Sequence, residues 1–174
     1  MSEWVGTRLR RRRGGAAVYA GSLSLVVLAL AGAVGLATRQ PWLFPSLGPT
    51  VMLFFESPEN ASSRPRNALV GHGVGLVVGA ACFYALGLNG QPPVPSGGLT
   101  ASYLVAGALS VAITTAVLTL LKTPHPPAGA TTLIVSLGIL TQPTQLAAMA
   151  GAIVLITVAG WGLNRGLLGA DAKR

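Results

Sequence analysis

The chain contains no Asp, Glu, Lys or Arg in two long stretches, from Asn67 to Leu121 and from Thr123 to Asn164. Charged residues make up 9% of the 174 residues, far below the roughly 25% that is typical of soluble domains. A soluble domain of this length needs charged side chains over its whole surface, and so few of them, placed so unevenly, cannot cover it. The sequence therefore predicts an integral membrane protein.

Six apolar stretches are candidates for membrane helices. The four that are long enough to cross a bilayer are Ala16–Ala37, Asn67–Leu88, Leu99–Leu121 and Gln145–Leu163. Two shorter stretches, Leu43–Phe55 and Ala128–Leu140, would each be about 20 Å long as helices. Both shorter stretches begin in or after proline-rich sequence, and proline lacks an N–H and disfavours helix at the preceding residue. We therefore expect two half-helices, each entered by non-helical chain.

The distribution of basic residues predicts the topology. If all six segments cross and the N-terminus is inside, the cytoplasmic side holds eleven Lys and Arg residues and the outside holds only Arg39. If the short segments are re-entrant, the split is eight against four, so the positive-inside rule favours six crossings with both termini in the cytoplasm. The expected domains are a basic cytoplasmic tail (1–15), one transmembrane domain (16–165) and a second cytoplasmic tail (166–174), in a bacterial inner membrane.

The order of elements repeats within the chain. Residues 16–88 and residues 99–163 each contain a long helix, a proline-rich segment, a short helix and another long helix. Gly48-Pro49-Thr50 stands 81 residues before Gly129-Ala130-Thr131. Three crossings is an odd number, so the second copy would be inverted relative to the first. The expected fold is an all-α polytopic bundle of two inverted three-segment repeats, with a substrate site between them.

The half-helices predict a binding site for an anion. The N-terminus of a helix presents unpaired N–H groups and a partial positive charge, and two inverted half-helices would point these ends at one another. Glycines there allow close approach of a ligand to the backbone, and hydroxyls add donors. Alternatively, the prolines and glycines only end helices and the small residues only pack. The predicted substrate-binding residues are Ser46, Gly48, Thr50, His125, Gly129, Ala130, Thr131 and Thr132.

Three blocks of sequence resemble one known family. Residues 122–131 read Lys-Thr-Pro-His-Pro-Pro-Ala-Gly-Ala-Thr, residues 64–72 read Arg-Pro-Arg-Asn-Ala-Leu-Val-Gly-His, and residues 44–50 read Phe-Pro-Ser-Leu-Gly-Pro-Thr. In this order and spacing they resemble the HPP family of integral membrane proteins, named for its His-Pro-Pro triplet. The chain departs from the usual pattern at Arg64, where glutamine is common, and at Pro49 and Thr50, which replace Ala-Ser. The resemblance implies a multi-pass membrane protein, and some members are described as nitrite transporters.

Four further residues are candidates for gating or for lining the mouth of the pore: Arg66, Asn67, His72 and Lys122. Polar groups in or beside a span are candidates for function. Three of them also have a structural alternative: Lys122 can be a snorkelling anchor, Arg66 can be an orientation charge, and His72 can form a hydrogen bond to a neighbouring helix.

His125 stands at the mouth of the second half-helix. Imidazole titrates near neutral pH, so His125 can take a proton alongside an anion. Alternatively, it bonds a backbone carbonyl of the chain before the half-helix. No carboxylate lies within a predicted span, so any proton coupling falls to His125 or His72.

Three glycines, Gly71, Gly75 and Gly79, form a small-residue ladder along one face of a predicted helix. Such a ladder is a packing surface, within a protomer or between protomers. Four full helices can barely surround two broken ones, so we expect a homo-oligomer in which a second protomer completes the shielding.

The basic N-terminal tail and the single cysteine indicate which other partners and cofactors to expect. Five arginines between Arg8 and Arg13 stand directly before the first span. A basic tail can bind nucleic acid, but in this position it more simply contacts anionic lipid. We expect membrane lipids as partners and no nucleic acid. The single cysteine, Cys82, lies in an apolar run, so the sequence offers no cysteine-based metal site, and we expect no cofactor.

The sequence therefore predicts a transporter of a small inorganic anion that resembles nitrite. An anion-selective channel and a non-transporting scaffold or sensor subunit remain as alternatives. A membrane-embedded enzyme would need a nucleophile with its base, or a metal site, within the spans. The chain has two histidines, one cysteine and no carboxylate within a predicted span. These residues are a poor basis for a nucleophile with its base or for a metal site, so we expect no enzymatic activity.

Overall fold

The computed structural model describes residues 4–169, and over that range every regular element is helical. The helices are α1 (Val5–Arg10), α2 (Arg13–Thr38), α3 (Leu47–Glu56), α4 (Pro65–Ala85), α5 (Val94–Gly97), α6 (Ala101–Leu120), α7 (Pro127–Ser136) and α8 (Pro143–Leu168), with a 3₁₀ turn at Ala61–Ser63. Within these residues α2, α4, α6 and α8 are long and apolar enough to cross a membrane. The prediction of an all-α polytopic membrane protein is confirmed.

The two short helices are shorter than predicted. Each has ten residues, which makes it about 15 Å long. α3 begins at Leu47 and not at Leu43, because Pro45 disfavours helix at the residue before it and the first turn closes on the carbonyl of Phe44, 3.1 Å from the N–H of Leu47. α7 stops before Gly138, whose φ of +79° lies in the left-handed region that ends helices.

Two helices lie in segments for which the sequence predicted none. α1 lies in the predicted basic tail, and α5 lies in the loop between α4 and α6. Both are short, at six and four residues, and neither has the long apolar run on which the sequence prediction relied.

The chain after α2 returns to the end of the bundle where α2 began. It forms a first connector, residues 39–46, and then α3. The connector lies beside the last turns of α2, where a Cβ at Gly35 would be 3.3 Å from the Cβ of Trp42. At the far end of α3, the guanidinium of Arg10 lies 3.5 Å from the carbonyl oxygen of Glu56, directly before α2. The connector and α3 together therefore traverse the bundle.

The second short helix follows a similar path. A second connector, residues 121–126, leads from α6 into α7, and directly after α7 the carbonyl of Leu137 accepts the N–H of Val94 at 3.1 Å. Val94 lies shortly before α6, so α7 ends near the level at which α6 started. A re-entrant segment would return to the side it left, so these paths agree with six crossings. The inverted relation between the two repeats remains a prediction.

The two halves of the chain interlock. α4 packs against α6 and α7, α8 packs against α2 and α3, and α4 and α8 also contact each other. The last helix of each half thus packs against the long and the short helix of the other half. This arrangement packs both short helices against long helices of the same chain. Of the connectors before them, Phe44, Ser46, Thr123 and His125 are buried, and the other residues are half-buried or exposed.

The glycine ladder of α4 packs within the protomer. A Cβ at Gly71 would lie 2.8 Å from the Cβ of His125, and one at Gly75 would lie 2.8 Å from the carbonyl oxygen of Ala128. A Cβ at Gly79 would lie 2.8 Å from the carbonyl oxygen of Thr132. Between the two alternatives for this ladder, the structure therefore shows packing of α4 against α7.

Both ends of the described chain lie at one end of the bundle. Gly6 of α1 packs against Leu167 at the end of α8. Arg10 forms a salt bridge of 2.7 Å with Glu59, which follows α3, and this hydrogen bond lowers the pKa of Glu59. The placement agrees with termini on one side of the membrane, and the assignment of that side to the cytoplasm remains a prediction.

We predict that Gly75→Ala destabilises the protein by about 1–3 kcal/mol, because its methyl group would overlap the backbone of α7. The matched control is Gly73→Ala on the same helix, where a Cβ would have no neighbour within 4 Å. That control is expected to keep or slightly raise stability, since alanine favours helix by about 1 kcal/mol over glycine. Thermal unfolding of both variants in mild detergent measures the difference, and equal melting temperatures would contradict the packing described here.

Candidate functional site

Five buried polar side chains meet in the middle of the protein, and we call them the polar cluster. Each is at most 2% exposed. They come from the end of the first connector, α3, α4, the second connector and α7, and they are Ser46, Thr50, His72, His125 and Thr131. All five were predicted from the sequence as candidate site residues. The cluster contains no Asp, Glu, Lys or Arg.

The polar cluster is a continuous chain of hydrogen bonds. The hydroxyl oxygens of Ser46 and Thr131 lie 2.6 Å apart, and Thr131 Oγ1 lies 2.7 Å from Nδ1 of His72. The two histidines face each other through their Nε2 atoms, at 3.1 Å. Nδ1 of His125 then lies 2.8 Å from the carbonyl oxygen of Ser62 in the 3₁₀ turn.

Thr50 closes the cluster from the side of α3. Its hydroxyl donates to the carbonyl of Ser46 at 2.9 Å, and its oxygen lies 2.8 Å from Nε2 of His72. A longer contact of 3.4 Å joins the same oxygen to Nε2 of His125. Four of the five side chains are therefore held by at least two hydrogen bonds, and the hydroxyl of Ser46 is held by one, to Thr131.

The N-terminal ends of the two short helices converge at this cluster. Ser46 is the residue directly before α3, and its partner Thr131 lies in the first half of α7. The positive ends of both helix dipoles therefore lie near the same point.

Several backbone donors at these ends already have partners. The N–H of Ala128 donates to His125 and the N–H of Gly129 donates to Pro126, both at 3.0 Å, and Pro127 has no N–H. The N–H of Leu47 donates to the carbonyl of Phe44. The sequence argument relied on free N–H groups here, and the structure leaves the hydroxyls and the helix dipoles as the more available sources of positive potential.

A groove of about 570 Å³ lies between α6 and the second connector. It brings together three predicted residues, Lys122, His125 and Gly129. Lys122 is exposed at its edge, and a Cβ at Gly129 would have no neighbour within 4 Å. Since His125 belongs to both the groove and the polar cluster, the groove reaches the wall of the cluster.

Three predicted residues of the short helices lie outside the polar cluster. The hydroxyl of Thr132 donates to the carbonyl of Ala128 at 2.9 Å and pairs with Thr114 at 3.1 Å. Gly48 and Ala130 are half-buried, and a Cβ at Gly48 would have no neighbour within 4 Å.

Arg66 and Asn67 also lie apart from the polar cluster. Arg66 lines a second cavity, of about 320 Å³, together with Arg64 and Arg165. The side-chain amide of Asn67 donates to the carbonyl of Ala61 at 2.9 Å and so holds the 3₁₀ turn against α4.

Two groups that bond to predicted site residues were not among the candidates from the sequence. The carbonyl of Ser62 is a backbone group in a linker, and no sequence signal marks it. Thr114 is a buried hydroxyl within a span, and its position in an apolar helix was a usable signal. Among the described residues, the buried hydroxyls of Thr123, Ser136 and Thr157 have no hydrogen-bond partner.

Comparison with known proteins places the chain among membrane proteins. The family model of the HPP transmembrane region matches residues 9–167. A curated transmembrane protein of Dictyostelium discoideum is 30% identical over 97 residues, which are 56% of this chain and 30% of that protein. The chain thus spans less than a third of the length of that relative. No solved structure matches the chain.

We predict that Thr131→Val lowers the free energy of unfolding by about 1–3 kcal/mol, because it removes the hydroxyl that joins Ser46 to His72 and leaves both without that partner. Thr38→Val is the matched control, since Thr38 is exposed and its hydroxyl bonds only within its own helix, to Val34. That control is expected to change stability by about 0.5 kcal/mol or less. Unfolding of both variants in mild detergent measures the difference, and similar losses would show that the cluster is not tightly bonded.

Proposed function

The chain belongs to the HPP family of transmembrane proteins, and we propose that it transports a small inorganic anion, similar to nitrite, across the membrane. One observation carries the proposal: the N-terminal ends of α3 and α7 converge on a buried polar cluster that contains no charged side chain. Such an arrangement attracts negative charge without a buried cation.

The chemistry of the cluster suits an anion better than a cation. Ser46, Thr50 and Thr131 carry hydroxyl donors, and the histidines carry ring N–H donors. A hard cation such as Mg²⁺ or Ca²⁺ would instead seek several carboxylates or carbonyls, and no Asp or Glu occurs from residue 60 to residue 170. Among the described residues, no three His, Cys, Asp or Glu side chains are grouped to hold a metal ion. The five side chains are joined by direct hydrogen bonds, so an anion would bind where one of these bonds opens and frees a donor.

Exposed cations in two regions can attract an anion to the protein. Lys122 stands at the edge of the groove that leads to His125 and Gly129. The second cavity carries Arg64, Arg66 and Arg165 at the end of the bundle where both described chain ends lie. Exposed cations at the entrance to a binding site raise the local concentration of anions and the rate at which anions arrive.

The burial of the cluster favours a transporter over a channel. Its five side chains are between 0% and 2% exposed, so an ion reaches them only after helices move. A channel needs a continuous open path, whereas a transporter opens its site to one side at a time. We do not propose an enzymatic activity.

Uptake into proteoliposomes tests the proposal. We expect the purified protein to accelerate entry of nitrite, with nitrate, formate and chloride measured beside it as competing small anions. Flux equal to that of protein-free liposomes for all four anions would contradict the proposal.

Two variants, Gly129→Val and Lys122→Gln, distinguish the binding of an anion from its electrostatic attraction to the protein surface. We predict that Gly129→Val sharply reduces transport, because the side chain fills the groove beside His125, while Lys122→Gln mainly changes the salt dependence of uptake. The control is Gly21→Val, since a Cβ at Gly21 would also have no neighbour within 4 Å but lies on α2, away from the groove. Initial rates at two salt concentrations measure both effects. Loss of transport in Lys122→Gln with full transport in Gly129→Val would overturn the assignment.

The proposal includes a homo-oligomer in the membrane. α2 exposes large apolar side chains, with Leu25 at 71% and Leu36 at 85%, and lipid or a second copy has to cover them. We predict dimers or larger assemblies by native mass spectrometry in mild detergent, and monomers alone would contradict this part of the proposal.

A further inference from the structure

The hydrogen bond between His125 and Ser62 determines where the protons of the polar cluster lie. A backbone carbonyl only accepts, so Nδ1 of His125 carries the hydrogen that lies between it and the Ser62 oxygen, 2.8 Å away. A neutral imidazole has one N–H, so Nε2 of His125 is then an acceptor. The atom that faces it, Nε2 of His72 at 3.1 Å, must be the donor.

The same reasoning assigns the hydrogen positions of the other members of the cluster. Since Nε2 of His72 carries its hydrogen, Nδ1 of His72 accepts, and the donor is the hydroxyl of Thr131 at 2.7 Å. The Thr131 oxygen then accepts the hydroxyl of Ser46 at 2.6 Å. The hydroxyl of Thr50 donates to the Ser46 carbonyl, so its oxygen is free to accept from His72. With both rings neutral, one direction of bonding is consistent throughout, with the N–H of His72 shared between Nε2 of His125 and the oxygen of Thr50. It uses the hydroxyl hydrogen of Ser46 inside the cluster.

An added proton reverses part of this chain. The two ring nitrogens without a hydrogen are Nδ1 of His72 and Nε2 of His125. A proton on His125 Nε2 would oppose the N–H of His72, whereas a proton on His72 Nδ1 needs only that the two hydroxyls turn. Thr131 then accepts from His72 and donates to Ser46. The hydroxyl hydrogen of Ser46 is thereby released to an acceptor outside the cluster.

We propose that the polar cluster couples one proton to each transported anion: the proton binds at Nδ1 of His72, and the released hydroxyl of Ser46 binds the anion at the N-terminal end of α3. This inference rests on the function proposed above and adds the coupling ion and its site. The step forms one N–H bond on His72 and breaks no covalent bond within the protein. The proton comes from the aqueous phase. The cluster gains one positive charge, and the anion brings one negative charge.

Binding of the proton and binding of the anion favour each other. An imidazolium inside the membrane is costly without a counter-charge, and the anion supplies that charge. In turn, the anion gains a hydroxyl donor and a nearby cation only after the proton has bound. Thermodynamic linkage makes the effect equal in both directions.

No other charged or titratable group in the described chain bonds to the two histidines. On α4 itself the remaining ionisable side chains are Arg66, Cys82 and Tyr84. On the elements around the cluster and the segments that join them they are Arg39, Glu56, Glu59, Arg64, Tyr103, Lys122 and Arg165. None of these ten has a hydrogen bond to a member of the cluster, so the histidine pair is the titrating unit.

Nitrogen-15 NMR of histidine-labelled protein tests the resting state. The chain has two histidines, so the variants His72→Gln and His125→Gln assign both rings. We expect opposite tautomers at neutral pH, with the hydrogen on Nδ1 in His125 and on Nε2 in His72. Identical tautomers, or an imidazolium in the absence of anion, would overturn the inference without affecting the proposed anion transport.

Calorimetry of nitrite binding, in two buffers with different heats of ionisation, tests the coupling. We expect one proton to be taken up for each nitrite bound to the wild-type protein in mild detergent. Nitrite binding without proton uptake would overturn the coupling and leave the proposed function intact. Absence of both binding and flux would instead overturn the proposed function, and this inference with it.

Transport under opposed gradients gives an independent readout. For a one-to-one ratio, a difference of one pH unit balances a roughly tenfold opposing nitrite gradient. Because nitrous acid itself crosses lipid and approaches the same balance, initial rates are measured and the rates of protein-free vesicles are subtracted. We expect the subtracted rates of wild type and of the control Thr38→Val to fall to zero at this balance. His72→Gln keeps a donor in place of Nε2 but cannot take the proton, so it should carry nitrite only down its own gradient. If His72→Gln still moves nitrite against its gradient, the inference is wrong.

Discussion

The close contact between α4 and α7 is the interaction on which the candidate site depends. Glycines at three successive turns of α4 let the backbone of α7 and the side chain of His125 approach within the space that a Cβ would occupy. That approach brings His72 to hydrogen-bond distance of Thr131 on one side and of His125 on the other. Without it His72 of α4 and His125 of the second connector would lie too far apart to bond, and the hydrogen-bonded chain from Ser46 to the 3₁₀ turn would be broken.

The membrane imposes a second constraint, because no water is available there to bond exposed backbone groups. The protein meets it by placing both connectors against its own helices and by closing the first turns of α3 and α7 on nearby carbonyls. This leaves few free N–H groups at the ends of the short helices. The hydroxyls of Ser46, Thr50 and Thr131 therefore take on the role of directed donors, and their directions depend on the protonation of the histidines.

Much of this arrangement was predictable from the sequence. Uncharged runs predicted the four long helices, and proline-rich segments predicted that the two short ones would be entered by non-helical chain. The repeat and its two half-helices selected Ser46, Thr50 and Thr131, and His125 was selected by its place at the mouth of the second half-helix. The position of His72 inside a span made it a candidate. The bounds of the short helices were missed although Pro45 and Gly138 are local signals for them. The role of the Ser62 carbonyl was not predictable, because it depends on how neighbouring segments pack and not on local sequence.

The central claim is that an anion binds where the N-terminal ends of α3 and α7 meet. A crystal structure of the protein with bromide tests it most directly, since anomalous scattering locates this small anion independently of the surrounding density. We predict a bromide peak at hydrogen-bond distance from the hydroxyl of Ser46, between the two short helices. Bromide found only beside Lys122 and the arginines of the second cavity, with none at Ser46, would contradict the account.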